Sequence, residues 1–215
     1  MDITVTNPEV VDVRFPLNGR LIPYDYADAL WTELRPLLPW LESDPWAGVH
    51  PIDGLSPAEG AWHVSRRSRL TLRISPDQAD SSRTALEGRT LDLDGYRIGL
   101  GTATVRELAP SSVLYARFVA MTPPSPAEQL IAEDVFLDTC RAQFDQLGMR
   151  PKLVCGLAQR ARTAAGLLSG FSLMLSELEP EDIRRLQREG LGVERKRGCG
   201  IFVPHKSGAS LVTLE

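Results

Sequence analysis

Four glycines frame a basic run near the end of the chain. "REGLGVERKRGCGIFVPHK" sets Gly190, Gly192, Gly198 and Gly200 around Glu194, Arg195, Lys196 and Arg197. A backbone that lies close to a polyanion needs residues without side chains, and its amides and neighbouring cations then supply the attraction. The glycines follow a helical pattern and precede a strand. Phosphate loops of nucleotide-binding folds instead open a helix, and no Gly-Lys-Ser/Thr occurs here. A helix end at Gly190 accounts for one glycine and leaves three. Further cations stand at Arg66, Arg67 and Arg69, around the start of a patterned strand, where they can clamp phosphate. Arg160 and Arg162 alternate within "AQRARTAAG", on one strand face or at a hairpin tip, and can grip an RNA stem by its phosphates. Each of these arginines also suits a solvated surface. Histidine occurs three times, as His50 in "GVHPI" and in two His-x-Ser triplets, His63-Val64-Ser65 and His205-Lys206-Ser207. Two-histidine phosphoesterases pair such triplets on central strands of a related duplicated fold, so this is a rival reading.

The elements that must position these residues are legible from periodicity. Val11, Val13, Phe15 and Leu17 alternate with polar neighbours, as a half-buried strand does. Leu30, Trp31, Leu34, Leu37, Leu38 and Leu41 recur at helical spacing, with Pro36 and Pro39 ending or bending that helix. "GVHPI" and "RSRLTLRIS" read as strands, "SPDQADSSRTALEG" as a short helix, and "RTLDLDGYRIGLGT" as a hairpin around Asp94-Gly95. The second half repeats this order. A strand over 111–122 leads to a helix over 125–148, opened by a Ser125/Glu128 capping box with Pro126 in its first turn. Its predicted buried stripe is Leu130, Ile131, Val135, Phe144 and Leu147. "KLVCGL" and "GLLSGFSLMLSEL" are the middle strands, "EPEDIRRLQREG" a second helix, and "CGIFVPHK" the last strand. Strand–helix–strand–strand–helix–strand, twice, predicts an α+β chain of two tandem ferredoxin-like, RNA-recognition-motif-like units over 1–104 and 105–215.

Composition limits the partners. The chain of 215 residues carries a net charge of −4, which excludes a uniformly basic binder. Residues 141–210 nevertheless hold 12 Lys/Arg against 7 Asp/Glu, so a local positive field coincides with the glycine loop. Arg dominates the basic residues, which suits phosphate forks and base stacking and also follows from GC-rich coding. Cys140, Cys155 and Cys199 are scattered, which predicts reduced thiols and no metal site. No signal sequence or membrane span is legible, so a soluble cytoplasmic protein is expected.

On these motifs the chain resembles the CRISPR-associated endoribonucleases that cut repeat RNA into guide RNAs. Residues 170–204, "GFSLMLSELEPEDIRRLQREGLGVERKRGCGIFVP", are similar to the closing segment of that family's MYXAN-type members. "VDVRFPLNGRLIPYDYADAL" and "GVHPI" resemble its start. The resemblance implies repeat-RNA binding and cofactor-free, metal-independent cleavage by the adjacent 2′-hydroxyl. The products would be a 2′,3′-cyclic phosphate and a 5′-hydroxyl, with the protein staying on its product beside other subunits of a guide-RNA surveillance complex. His, Tyr and Lys/Arg suit such chemistry. MYXAN-type members carry histidines where this chain has Tyr26 and Glu42. That departure leaves His50, Tyr26 and Tyr24 as the candidate catalytic set, and it opens a second reading, an RNA-binding subunit that does not cut. The glycine loop with Arg195, Lys196 and Arg197, the Arg66/Arg67/Arg69 set and the Arg160/Arg162 pair form the expected RNA contacts.

Overall fold

The computed structural model describes residues 10–109 and 111–205. They fall into two compact units that meet between Leu108 and Ala109. Each is a ferredoxin-like fold.

The first unit begins with β1 (Val11–Asn18), whose alternation buries Val13 and Phe15 fully. β2 (Leu21–Pro23) leads to α1 (Tyr26–Leu37), which turns Leu30, Trp31 and Leu34 inward. The predicted single helix is two. Pro39 lies in the break after Leu37, and α2 (Trp40–Ser43) adds one more turn that buries Leu41. β3 (Gly48–Val49), β4 (Ser56–Ala58), β5 (Ala61–His63) and β6 (Arg69–Ile74) follow. A single 3-10 turn then starts α3 (Ala79–Leu86). β7 (Thr90–Leu93) and β8 (Tyr96–Leu100) form the expected hairpin, with Asp94 and Gly95 both at positive φ, and β9 (Thr104–Glu107) closes the unit.

β1 pairs antiparallel with both β6 and β9, and β6 with β3. In terms of the four fold-defining strands the order is 4-1-3-2, with the β7–β8 hairpin attached at the far end of β1 through Leu17↔Leu100. Sequence patterning missed β9, because Thr104, Val105, Arg106 and Glu107 are all exposed and carry no alternation. It also missed the small β2–β5–β4 sheet, whose strands are three residues each. Since β9 pairs along β1, the first unit runs past residue 104.

The second unit contains β10 (Leu114–Val119), α4 (Glu133–Leu147), β11 (Lys152–Thr163), β12 (Gly166–Ser176), α5 (Pro180–Glu189) and β13 (Val203–Pro204). Its order β11-β12-β10-β13 is again 2-3-1-4. α4 starts at Glu133 rather than at the Ser125 capping box. The main chain of Ser125 instead exchanges two hydrogen bonds with Leu167, and the Glu128 carboxylate binds Arg162. Tertiary pairing outbids the local cap. The helix then buries Phe136, Cys140 and Phe144, whereas Leu130 and Val135, predicted inside, are 55% and 54% exposed. Ile131 and Leu147 pack only partly against the core. β13 is shorter than predicted. Among the described residues no helix is long and apolar enough to cross a membrane.

Candidate functional site

The glycine loop runs from α5 to β13 as a tightly bonded piece. Gly190 ends α5 at φ +72, its amide donating to the Leu186 carbonyl. A Cβ on Gly190 would stand 1.9 Å from Arg195 Nη1, one on Gly192 2.1 Å from the Ala120 carbonyl, and one on Gly200 2.0 Å from the Leu191 carbonyl. Gly198 follows a 3-10 turn over Arg195–Arg197 at φ +87. All four glycines therefore have a packing or backbone reason to be there. The loop is stapled to the end of β10 by Val193 N–H donating to Ala120 O (2.9 Å) and Gly200 N–H to Phe118 O (2.8 Å).

Arg195 turns into this loop. Its side chain is 8% exposed, and its guanidinium donates to the Gly200 carbonyl at 3.3 Å and the Arg188 carbonyl at 2.9 Å. The sequence reading grouped it with outward RNA contacts; the structure makes it an internal strut. Arg197 pairs with Glu194 at 2.7 Å, and Lys196 is half-buried.

A second basic site lies in the first unit, on the sheet face away from α1 and α3. Val13 and Phe15 face the helices, so Asp12, Arg14 and Pro16 face the other way. Cross-strand pairing sets Arg14 opposite Thr104 and Thr71, Pro16 opposite Arg69, and Asp12 opposite Arg106 and Arg73. The result is an open groove of about 410 Å³ lined by Arg14, Pro16, Arg67, Arg69, Thr104 and Arg106. Arg69 donates to the Arg66 and Ser68 carbonyls. Among the described residues none of Arg14, Arg67, Arg69 and Arg106 has a carboxylate partner. Four clustered guanidiniums repel one another and present their forks to an anion. Arg67 and Arg69 were expected; Arg66 sits in the same loop without lining the groove. Arg14 and Arg106 were missed. Arg14 was legible as the outward residue of β1, but Arg106 needed β9, which patterning does not show.

His50 follows β3 and is anchored beside this groove's sheet face. Its amide donates to Thr71 O at 2.9 Å, and Nε2 lies 3.2 Å from Asp12 Oδ1. Arg73, fully buried, donates to both Asp12 oxygens, at 2.8 and 3.0 Å. Burial lowers the His50 pKa below 6.5, and the attraction of Asp12 recovers only part of that. The ring is therefore neutral at pH 7, with Nε2–H donating a hydrogen bond to the ionised Asp12 carboxylate. Burial raises the Asp12 pKa, but His50 and Arg73 together outweigh it and hold the carboxyl well below the usual carboxylate range. At 9% exposure His50 is a core residue with an oriented ring.

Tyr26 reaches the segment that follows His50: its hydroxyl accepts from the Ile52 amide at 2.8 Å. Tyr24 donates its hydroxyl proton to the Ala58 carbonyl and stacks edge-on against Trp62 at 5.0 Å. Both tyrosines thus hold backbone segments, and neither lines the arginine groove. His63 is exposed on β5. In the other His-x-Ser triplet His205 is exposed after β13, and Lys206 and Ser207 lie outside the described residues. Arg160 and Arg162 are both exposed on β11, ahead of the Ala164–Ala165 tip, and Arg162 is paired with Glu128. All three cysteines are free thiols. Burial pushes the Cys140 thiol up to about 12 and Cys199 higher still. Among the described residues no three His, Cys, Asp or Glu side chains converge as metal ligands would.

Known proteins share this architecture. The chain is 29% identical over 194 residues to the CRISPR-associated endonuclease Cas6 of Myxococcus xanthus, covering 90% of this chain and 81% of that protein. The solved structure of a Cas6-related gene product from Pyrococcus furiosus superposes with a TM-score of 0.64 at 12% identity, over 94% of this chain and all of that one. A RAMP protein described as binding different RNA substrates matches with a TM-score of 0.59 at 15% identity, over 91% of this chain and 98% of its own. The profile of the family described as Cas6 Crispr matches residues 11–207, and the chain belongs to that family.

Proposed function

We propose that this protein binds CRISPR repeat RNA and cuts the precursor transcript into guide RNAs, remaining on its product. The observation that carries the reading is the arginine groove: four guanidiniums without carboxylate partners among the described residues, in a unit whose sequence is otherwise acidic, in a chain of the Cas6 family. Arginine forks suit phosphate oxygens, and like charges gathered in one groove favour an anion there. The Myxococcus relative's description as an endonuclease supports cleavage as well as binding.

In this reading the 2′-hydroxyl next to the scissile phosphate attacks phosphorus, the 5′-oxygen leaves, and the products are a 2′,3′-cyclic phosphate and a 5′-hydroxyl. The attack needs no metal, because the nucleophile is already attached. His50 enters as the base: neutral at pH 7 and held through Nε2–H by Asp12, it has Nδ1 left to accept a proton. The glycine loop, through Lys196 and its backbone, and the β11–β12 hairpin, through Arg160, contribute further phosphate contacts.

Incubating the protein with its own repeat RNA in excess EDTA tests this. A cyclic-phosphate end is expected, with His50→Ala lowering the rate by roughly a hundredfold or more while affinity stays near the parent's. Tight binding without any cut product would overturn the enzyme and leave the RNA-holding subunit. Cleavage by His50→Ala at the parent's rate would remove His50 from the chemistry.

A further inference from the structure

The face of the second unit away from its helices carries an aromatic surface that no strand pattern announced. Leu114 and Ala116 of β10 are in the core, so Tyr115 and Arg117 point away from it. By the same alternation Met174 of β12, Val154 of β11 and Val203 of β13 share Tyr115's side. Register joins them into one row: Val154 opposite Met174, Met174 opposite Tyr115, Tyr115 opposite Val203. His205, whose amide donates to Val113 O at 3.0 Å, follows β13 by one residue and sets its ring beside Tyr115. The ring centroids are 5.6 Å apart and tilted by 53°. Tyr115 is half-buried, and His205 and Arg117 are exposed.

We infer that Tyr115 and His205 form a stacking platform for an unpaired base of single-stranded RNA, with Arg117 on the same strand near the base's phosphate. This rests on the RNA reading above and adds a base-contacting subsite to it. Three observations select this occupant. The strip is a single row of residues across four strands, a width that suits a nucleobase covering one or two rings better than the roughly 800 Å² per partner that a stable protein contact needs. A base stacks on an aromatic or imidazole face whatever its identity, and Tyr115 lies on the first strand of a ferredoxin-like sheet, between its two neighbours. A cation two residues along the same strand provides for the phosphate that accompanies every base.

The test uses the full chain, a fluorescent unstructured oligoribonucleotide, and the same oligomer with its bases removed. Tyr115→Leu keeps an apolar side chain but removes the ring. It should weaken binding of the intact oligomer by roughly five- to a hundredfold, leave binding of the abasic oligomer and the salt dependence unchanged, and keep the parent's circular dichroism. Tyr115→Phe should bind like the parent. Should Tyr115→Leu fold poorly, His205→Ala, which trims an exposed ring, should show the same base-dependent loss at smaller size. Parent-like binding by both ring-removing variants, or equal losses on the two oligomers, would overturn the platform. So would a parent dimer that dissociates on Tyr115→Leu, since the face would then be a protein contact. If a variant with Arg14, Arg67 and Arg106 changed to Gln also binds intact RNA like the parent, the RNA reading itself fails rather than the platform alone.

Discussion

At Asp12 one carboxylate joins three strands, since Arg73 reaches it across the β1–β6 ladder and His50 from the residue after β3. Removing that carboxylate would strip two charge-assisted hydrogen bonds from the fully buried Arg73, a loss of about 3–5 kcal/mol. The same cluster makes the first unit sensitive to acid. His50 titrates lower in the fold than its ordinary 6.5, so the unfolded chain takes the proton first as pH falls, and stability declines from about there downward. Asp12 is depressed too; its contribution is complete above the ordinary 3.8 and is lost on further acidification. Both act in one direction. Thermal melts followed by circular dichroism should show the first unit losing stability between about pH 7 and about pH 5, and His50→Gln should flatten that slope. A pH-independent parent over this window would mean that His50 does not stay neutral in the fold. Sequence alone could place His50 after a short strand. It could not show the partner, because Asp12 and His50 are 38 residues apart and meet only through strand pairing.

Among the elements, the glycine loop carries the clearest structural demand. Gly200→Ala would press a Cβ against the Leu191 carbonyl at a positive φ, with no flexible side chain to yield. It should cost roughly 1–3 kcal/mol or more, read as an earlier urea midpoint for the second unit. A midpoint equal to the parent's would show that the loop can shift aside. The loop's position between α5 and β13 was legible, as were the helix stop at Gly190 and the Asp94-Gly95 hairpin, because these follow from local turn chemistry. The start of α4 was not. A capping-box pattern at Ser125 is a local preference, and its residues are claimed by Leu167 and Arg162 from a distant hairpin. Arg195 shows the same limit from the other side: three consecutive cations look alike in sequence, yet one is packed inward and two are not.

At the scale of the molecule, charge is segregated within a chain that is acidic overall. Residues 1–108 hold 11 Lys/Arg against 16 Asp/Glu, yet four of those arginines share one groove. The attraction for an anion is therefore local, and added salt should weaken it steeply. Changing Arg14, Arg67 and Arg106 together to Gln should reduce the slope of log affinity against log salt by about two, as expected for losing up to three single-strand phosphate contacts. An unchanged slope would place RNA elsewhere. The duplicated fold could be read from element order alone; the groove could not, because it is assembled from β1, β6, β9 and the loop before β6.

The inward turn of Arg195 bears on how the proposed RNA contact would form. Its bonds to the Gly200 and Arg188 carbonyls, together with the staples to β10, tie the loop down within the unit. On the proposed reading, association would not have to freeze a mobile segment, and the conformational entropy that would oppose binding would already have been given up during folding. The glycines would then serve a receptor shaped in advance.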